Sequence, residues 1–286
     1  MNFTDYKLNK IYVDEFGRKS GILALNKPAD ITSHDLVDRV RKKLNTKRVG
    51  HCGALDPFAT GVMITLVGKA TKLSNELTFL NKTYKFEVLL GLSSDTKDIE
   101  GKILKIQDTK NISNKNITNI VKSFKGKYLQ EVPIYSSVKI KGIRLRELAR
   151  NSKSFNTFIK NNKKYAKFKI IENTSVYKKL KRQKRLDSKN STTIKIPERK
   201  VNISNIRVSK INTIKSNELN IKLNIKKILC FKKIQIEATV SKGTYIRQMA
   251  EDIGHRIDKL PAILYSLERT QIGDINKSDS IKIQNL

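Results

Sequence analysis

The chain has 286 residues, enough for one large domain or two of ordinary size. It carries 59 Lys and Arg against 26 Asp and Glu. The resulting net charge of +33 favours a partner with a dense negative field, most simply a nucleic acid. No apolar run is long enough for a transmembrane helix, and no secretory signal is visible. Two cysteines and three histidines form no metal-ligand cluster, so the composition predicts a cytoplasmic protein without membrane contact or bound metal.

The N-terminal part of the chain predicts a buried strand followed by a helix. Residues 1–20 are polar, match no pattern and are predicted to be an N-terminal extension. The apolar run 21–25 ends at Asn26-Lys27-Pro28, which is typical of a buried strand that leads into a turn. Thr32 or Ser33 can then cap a helix whose apolar residues recur at helical spacing over 36–44.

Residues 49–62 place one carboxylate in a glycine-rich segment. Asp56 stands directly before Pro57, which biases it away from the helical region, so the carboxylate is expected on a bend. Gly50, Gly53 and Gly61 permit tight turns and close approach of a ligand to the backbone. In so basic a chain, this arrangement suggests chemistry on a polyanion. The alternative is an ordinary Asx-Pro turn that joins two elements.

The next elements follow from alternation and helical spacing. Residues 84–90 alternate apolar and polar side chains and predict a strand closed by Gly91. Apolar residues at helical spacing over 117–124 predict a helix, with Gly126 as its C-terminal stop. Residues 151–198 are strongly basic with little sustained periodicity and predict an insertion that is mobile in the free protein. That insertion is either a solvated loop without function or a basic arm that becomes ordered on RNA.

Regular patterns return in the C-terminal part. Residues 219–226 and 234–240 alternate and predict two neighbouring strands. A helix is predicted after Gly243, with Thr244 as its N-cap and an apolar face over 246–257. Strands interspersed with helices, without regular βαβ alternation, predict an α+β fold with a mixed central sheet flanked by helices.

Six ordered segments together resemble one family, the bacterial tRNA pseudouridine synthases of the TruB type. They cover residues 21–150 and about 199–273, and any one of them alone would be a weak signal. The segments are 21–33, 50–61, 82–96, 130–150, 241–254 and 267–270, which include GILALNKP, GHCGALDPFATG, KTY, PIYSSVK, SKGTYIR and LERT.

The resemblance implies a pseudouridine synthase catalytic domain over 21–273, with a short tail at 274–286 and without the C-terminal PUA-type RNA-binding domain of many relatives. It implies isomerisation of a uridine in the T-loop of tRNA (position 55) to pseudouridine, without metal or cofactor. The T-arm of tRNA is the expected partner, and no obligate protein partner is inferred. The 151–198 insertion and the high charge are expected to compensate in part for the missing domain.

By motif position, Asp56 resembles the family's nucleophile; whether it attacks uracil C6 or ribose C1′ stays open. Enclosure by a bound nucleotide would raise the pKa of this carboxyl group, so a cation has to oppose the rise. Arg247 is the family's candidate, and a guanidinium can hold a carboxylate through two parallel hydrogen bonds. From the residues alone, the favoured interpretation of Arg247 is a surface residue in the first turn of a helix.

The remaining site residues also rest on the resemblance. Tyr84 is expected to stack on the target base and Tyr245 to contact it, since a flipped base regains energy on an aromatic ring. His51 is expected to fill the gap that the flipped base leaves, and Leu267 to contact the uracil. From the sequence alone, Tyr84 could be a half-buried core ring and Leu267 a core leucine. Four basic residues are expected to contact phosphates: Lys27, Lys139, Arg144 and Arg150. The alternative for each is a solvated surface charge.

Three positions depart from the family's pattern: Cys52 stands where threonine is frequent, Arg146 where tyrosine is expected, and Glu268 where arginine is usual. They put packing and RNA contacts in doubt more than catalysis. Rival hypotheses are a non-catalytic RNA-binding or RNA-folding protein on the same fold, a guide-RNA-directed enzyme of the dyskerin type, and a ribosomal-type RNA binder.

Overall fold

The structure is a computed structural model that describes residues 5–219, 221, 223–225 and 227–286. Within these residues the chain divides into two compact units. The first unit takes in Met1–Tyr128, Val201–Thr244 and Ala250–Leu286; the second takes in Leu129–Lys200 and Tyr245–Met249. In the described part of the chain, no helix combines the length and apolar character needed to cross a bilayer.

The described residues form helices and strands along the whole chain. The helices are α1 (Ser33–Leu44), α2 (Ser74–Phe79), α3 (Asn114–Lys122), α4 (Leu145–Arg150), α5 (Ser175–Arg182) and α6 (Ile246–Arg256). The strands up to residue 131 are β1 (Ile11–Val13), β2 (Lys19–Lys27), β3 (Val49–His51), β4 (Thr60–Val67), β5 (Lys82–Leu90), β6 (Leu92–Ser94), β7 (Ile103–Ile106) and β8 (Gly126–Glu131). The later strands are β9 (Lys139–Ile140), β10 (Ile143–Arg144), β11 (Ser152–Lys160), β12 (Lys163–Ile170), β13 (Ser191–Lys195), β14 (Glu198–Lys215), β15 (Cys230–Val240), β16 (Ala262–Ile272) and β17 (Ile275–Asn276).

A large mixed sheet forms the centre of the first unit. Its strands lie in the order β1-β2-β4-β16-β5-β15-β14, with β3 beside β4 and β17 beside β16. Strand β16 is antiparallel to β5, and it is parallel to β4 where Glu268 faces Thr60 and Arg269 faces Gly61. The predicted mixed sheet in an α+β chain is therefore confirmed.

Strands β2 and β4 are buried on both faces, which explains their continuous apolar sequences. On one face Leu23 and Met63 pack with Leu36 and Val40 of α1. On the other face Ile22 and Ile64 join a cluster that includes the α2 region. The predicted buried strand at 21–25 and the predicted helix after it are confirmed.

Thr32 is the N-cap of α1. Its hydroxyl accepts a hydrogen bond from the backbone N–H of Asp35, whose carboxylate accepts one from the Thr32 N–H in return. This reciprocal capping box fixes the start of the helix directly after the Lys27-Pro28 turn. Of the two predicted caps, Thr32 is therefore the correct one.

The strand predicted at 84–90 is confirmed as part of β5, which lies between β15 and β16. The predicted helix over 117–124 is confirmed as α3, but it ends at Lys122. Gly126, predicted as its stop, instead begins β8 with a φ of 108°. The helix predicted after Gly243 begins at Ile246, and the Thr244 hydroxyl donates to the Ser241 carbonyl within the preceding turn.

One of the two predicted C-terminal strands is wrong. Residues 234–240 belong to β15, but the described residues between 219 and 226, which exclude 220, 222 and 226, form no strand. Their alternating apolar side chains pack instead against a cluster around Leu89 and Phe231. Strand β15 pairs antiparallel with β5 on one side and with β14, which spans 18 residues, on the other.

Residues 151–198, predicted to be a mobile insertion with little sustained periodicity, do contain regular structure, while their mobility stays a prediction. They contain β11, β12, α5 and β13, and the three strands form an antiparallel sheet. Ala166, Phe168 and Ile170 alternate with lysines along β12 and are buried. The second unit thus has a hydrophobic core of its own, because short period-two and helical patterns lie within the basic composition.

Segments near both ends of the chain pair with strands of the first unit. Residues 11–13, within the predicted N-terminal extension, form β1 and pair with β2. In the predicted tail, β17 pairs with β16. The Ile281 N–H donates to the Ala24 carbonyl, and its own carbonyl accepts from the Asn26 N–H. Ile281 therefore extends the pairing at the end of β2.

Candidate functional site

Residues 52–59, the Asp56 loop, connect β3 to β4. The Cys52 N–H donates to the Ile64 carbonyl at 2.9 Å, and the Ala59 N–H donates to the Asp56 carbonyl at 3.1 Å. The second hydrogen bond closes a tight turn over Asp56–Ala59, with Pro57 at its second position, where proline is favoured. The predicted bend is thus present, and Asp56 is partly exposed on it.

The first residue of α1 holds the loop on the N-terminal side of Asp56. The Ser33 hydroxyl accepts from the Leu55 N–H at 2.8 Å and donates to the Leu55 carbonyl at 3.0 Å. Ser33 is buried, so both groups of Leu55 are satisfied away from water. The residue before the carboxylate is therefore fixed by the helix.

Lys27 holds the loop on the C-terminal side of Asp56. Its side chain is fully buried, and its ammonium donates to the carbonyls of Pro28, Ile31 and Pro57 at 2.7–2.9 Å. The expectation that Lys27 faces a phosphate is therefore wrong. Its three protons are committed to backbone oxygens, and it joins the end of β2 to the residue after Asp56.

Arg269 of β16 holds the two ends of the loop. The guanidinium is almost fully buried and donates from Nε to the Val62 carbonyl at 2.7 Å and from Nη2 to the Gly53 carbonyl at 3.1 Å. Gly61 has a φ of 106°, and a Cβ there would lie 2.1 Å from the Arg269 carbonyl oxygen. The close approach that Gly61 permits is thus to the backbone of β16.

The cations behind the loop create a positive environment. Burial lowers the pKa of Lys27 to about 8, while the negative charges of Asp30 and then Asp56 oppose that fall. Burial and the neighbouring charge of Arg269 lower the pKa of Lys82 to about 8. Lys82 donates to the carbonyls of Thr78 and Leu80.

A cavity of about 710 Å³ lies beside the Asp56 loop in the first unit. Phe58 and Leu267 line it, whereas Asp56 and Tyr84 are not among its lining residues. Burial alone would raise the pKa of Glu87, but hydrogen bonds from Gln235 and Ser266 and the charge of Lys233 lower it. The lining residues are Phe58, Thr60, Lys85, Phe86, Glu87, Ile99, Arg207, Ser209, Gln235, Ile236, Glu237, Tyr265, Ser266, Leu267 and Glu268.

Tyr84 and His51 belong to the same unit as Asp56. Tyr84 is 8% exposed on β5, where it faces Ala238 on one side and Arg269 on the other. His51 ends β3, and burial followed by the charge of Arg269 lowers its pKa, so the imidazole is neutral at pH 7. Contacts of these two residues and of Leu267 with a uridine stay predictions.

Arg247 and Tyr245 belong to the second unit. Arg247 is 8% exposed and donates from Nη2 to the Tyr135 carbonyl at 2.9 Å. The alternative that it is a surface residue is therefore wrong. The buried Gln130 amide accepts from the Tyr245 N–H and donates to the Tyr245 carbonyl. Sequence reasoning missed this positioning role of Gln130, although the residue lies in a family motif. The pairing of Arg247 with Asp56 stays a prediction.

The other predicted phosphate contacts also lie in the second unit. Lys139 and Arg150 are exposed, whereas Arg144 forms an ion pair with Glu147 at 2.8 Å. Lys139 and Arg144 face each other across the β9–β10 hairpin. Their positions are compatible with RNA contacts, which stay predictions for all three.

The three departures from the family pattern are all accommodated. Cys52 is buried, and burial raises the pKa of its thiol to about 11. Arg146 donates to the Ser137 hydroxyl, and Glu268 pairs with Lys277. Neither of these two partners, Ser137 and Lys277, is a predicted site residue. Among the described residues, no group of three or more His, Cys, Asp or Glu side chains is placed to hold a metal ion.

Two solved structures that match this chain show which fold it has. A chain of a Cbf5-Nop10-Gar1 complex matches with a TM-score of 0.55 at 21% identity, over 93% of this chain and 53% of that chain. A chain of an H/ACA ribonucleoprotein bound to a substrate RNA containing 2′-deoxyuridine matches with a TM-score of 0.53 at 19% identity, over 93% and 51%. This chain thus spans about half the length of those chains, and it has the pseudouridine synthase fold.

Sequence comparison gives the family. The family model for the TruB family pseudouridylate synthase (N terminal domain) matches residues 41–184. The tRNA pseudouridine synthase B of Clostridium tetani (strain Massachusetts / E88) is 33% identical over 93% of this chain and 72% of that protein. The enzyme of the same name from Staphylococcus saprophyticus (strain ATCC 15305) is 34% identical over 93% and 71%. The chain belongs to the TruB family of pseudouridylate synthases.

Proposed function

We propose that this protein isomerises a uridine in the T-loop of tRNA, at position 55, to pseudouridine in the cytoplasm. The glycosidic bond from ribose C1′ to uracil N1 breaks, and a bond from C1′ to C5 forms. The proton on C5 leaves, and N1 regains one, so no external reactant is consumed. Relatives named tRNA pseudouridine synthase B support tRNA as the substrate.

The single observation that carries the proposal is the way the Asp56 carboxylate is held. Ser33 fixes Leu55 before it, and Lys27 fixes Pro57 after it, so the carboxylate is displayed on a rigid turn. An ionised carboxylate can hold one fragment of the substrate covalently while the base turns. An ordinary Asx-Pro turn would not require three buried cations behind it.

The other side chains have proposed roles around the flipped uridine. Tyr84 stacks on the uracil and Leu267 contacts its edge, which returns part of the cost of unstacking the base. Arg247 pairs with Asp56, Tyr245 contacts the same nucleotide, and His51 fills the gap left in the loop. Lys139, Arg144 and Arg150 contact phosphates.

The test is Asp56→Asn against a matched control, Asp30→Asn. Asp30 is an exposed acid of the same unit, and its N–H donates to the Pro57 carbonyl. Each protein is incubated with an unmodified tRNA transcript, and pseudouridine is mapped by carbodiimide labelling and primer extension. We expect product at position 55 with the parent chain and Asp30→Asn, and none with Asp56→Asn.

Binding measured on the same samples separates the rival hypotheses. The enzymatic proposal requires that Asp56→Asn binds the transcript with an affinity close to that of the parent chain. A parent chain that binds tRNA and forms no pseudouridine would favour a non-catalytic RNA-binding or RNA-folding protein. Product that appears only when a guide RNA is added would favour a guide-RNA-directed enzyme.

A further inference from the structure

The sheet of the second unit has one face that the hydrophobic core does not use. In β11, β12 and β13 the residues that face the core include Phe155, Ala166, Phe168 and Ile194. The residues between them point the other way, because side chains alternate along a strand. We call this outward surface the lysine–aromatic face: Asn156, Phe158, Lys160, Lys163, Tyr165, Lys167, Lys169, Thr193 and Lys195.

Two aromatic rings stand together on this face. Phe158 and Tyr165 are register partners on β11 and β12, with ring centroids 5.7 Å apart and planes 16° from parallel. Phe158 is 36% exposed although it is one of the larger apolar side chains of the unit. Packing of the core does not require these rings, because the core lies on the opposite face of the sheet.

The charge around the rings has one sign. Lys160, Lys163, Lys167, Lys169 and Lys195 are exposed, and they lie on all three strands. None of the residues of these three strands, all within the described part of the chain, is acidic. Asp187 outside the strands pairs with Lys167 at 3.5 Å. The face therefore attracts anions and repels cations.

We propose that the lysine–aromatic face binds unpaired nucleotides of RNA, with bases stacked on Phe158 and Tyr165 and phosphates held by the lysines. Aromatic rings in a positive groove are how proteins bind single strands without reading their sequence. In an RNA duplex the bases are stacked inside the helix, so only its phosphates could contact the lysine–aromatic face. The proposal rests on the proposed function for the identity of the RNA as tRNA, and the face acts in binding, not in the chemical step.

The chain contains no tryptophan, so the fluorescence of one introduced tryptophan reports base stacking at that position alone. In Phe158→Trp, we expect a single-stranded ten-nucleotide oligouridylate to quench the fluorescence saturably, and a blunt RNA duplex to quench it far less. Phe16→Trp is the matched control, since Phe16 is 71% exposed and also lies against a cation, Arg18. Equal quenching in the two variants, or equal quenching by duplex and single strand, overturns the proposal.

Two alanine variants measure the two parts of the face. Phe158→Ala should raise the Kd for oligouridylate about tenfold, the usual size of one base–aromatic stack. The triple change Lys160→Ala, Lys163→Ala and Lys195→Ala should flatten the log-log dependence of binding on salt by about two units, at about 0.7 per phosphate contact. The control is an equal loss of charge from exposed positions of the first unit: Lys105→Ala, Lys110→Ala and Lys115→Ala.

Turnover on tRNA distinguishes this proposal from the function on which it rests. Phe158→Ala should raise the KM for the transcript and leave kcat unchanged. Quenching of Phe158→Trp by oligouridylate without any pseudouridine formation would refute the proposed function and retain the RNA-binding face. Pseudouridine formation with a KM unaffected by either alanine variant would refute the face alone. Binding of phosphatidylserine vesicles in place of oligouridylate would also refute it.

Discussion

Replacing Gly61 by alanine tests whether close backbone packing holds the Asp56 loop. The new Cβ would lie 2.1 Å from the Arg269 carbonyl oxygen and 2.8 Å from its amide nitrogen. Both atoms are backbone, so β4 and β16 must separate by about 1 Å or more to reach an ordinary contact distance. That movement pulls on the 2.7 Å hydrogen bond from Arg269 to Val62.

The expected loss follows from three contributions. A non-glycine residue at a φ of 106° costs about 1–3 kcal/mol, overpacking costs a similar amount, and a lost charge-assisted hydrogen bond adds about 1.5–3 kcal/mol. We expect Gly61→Ala to lower the free energy of unfolding by about 4 kcal/mol or more. Urea unfolding followed by circular dichroism measures it.

Gly50→Ala is the matched control within the same motif. Nothing lies within 4 Å of a Cβ at Gly50, and its φ is not positive. Alanine there should change the free energy of unfolding by less than about 1 kcal/mol, since it also restricts the unfolded chain. Similar losses for the two variants would refute the close approach of β4 and β16.

Two further predictions concern buried titratable groups. Since the pKa of Lys27 is about 8 in the folded chain and 10.5 as its ordinary value, the unfolded chain binds more protons between these pH values. Stability therefore gains from this residue as pH rises from 8 to 10.5, and Lys27→Met should lower that slope by about 1.4 kcal/mol per pH unit in urea unfolding. An unchanged slope would contradict a buried ammonium. In Cys230→Ser, the remaining thiol of Cys52 should resist an aromatic disulfide reagent until the protein unfolds, because burial raises its pKa to about 11. Rapid labelling under native conditions would count against its burial.

Elements with a clean local pattern could be predicted from the sequence. The strand at 21–25, the α1 helix and the strand at 84–90 each carry their own periodicity. Strand β14 does not, because register shifts at Ile203/Asn205 and Val208/Lys210 interrupt its alternation. Alternation also misled at 219–226, where the described residues form no strand and their apolar side chains pack against a neighbouring cluster.

The Asp56 bend could be predicted because proline and glycine act locally. The buried cations could not, since nothing in the sequence around Lys27 distinguishes a surface lysine from a buried one. What decides it is the Pro57 carbonyl, 30 residues further along the chain. The same applies to Gln130, whose amide meets the backbone of a residue 115 positions away.

The hydrogen bonds from Arg269 that hold the Asp56 loop join parts of the chain that the ribosome synthesises at different times. The hydrogen bond from Arg269 to Val62 spans 207 residues. At about 5–20 residues per second, a ribosome adds that length in about 10–40 seconds. During this interval the nascent chain carries Asp56 without the arginine that closes its loop. The loop that carries the Asp56 carboxylate can therefore reach its native conformation only after β16 has been synthesised.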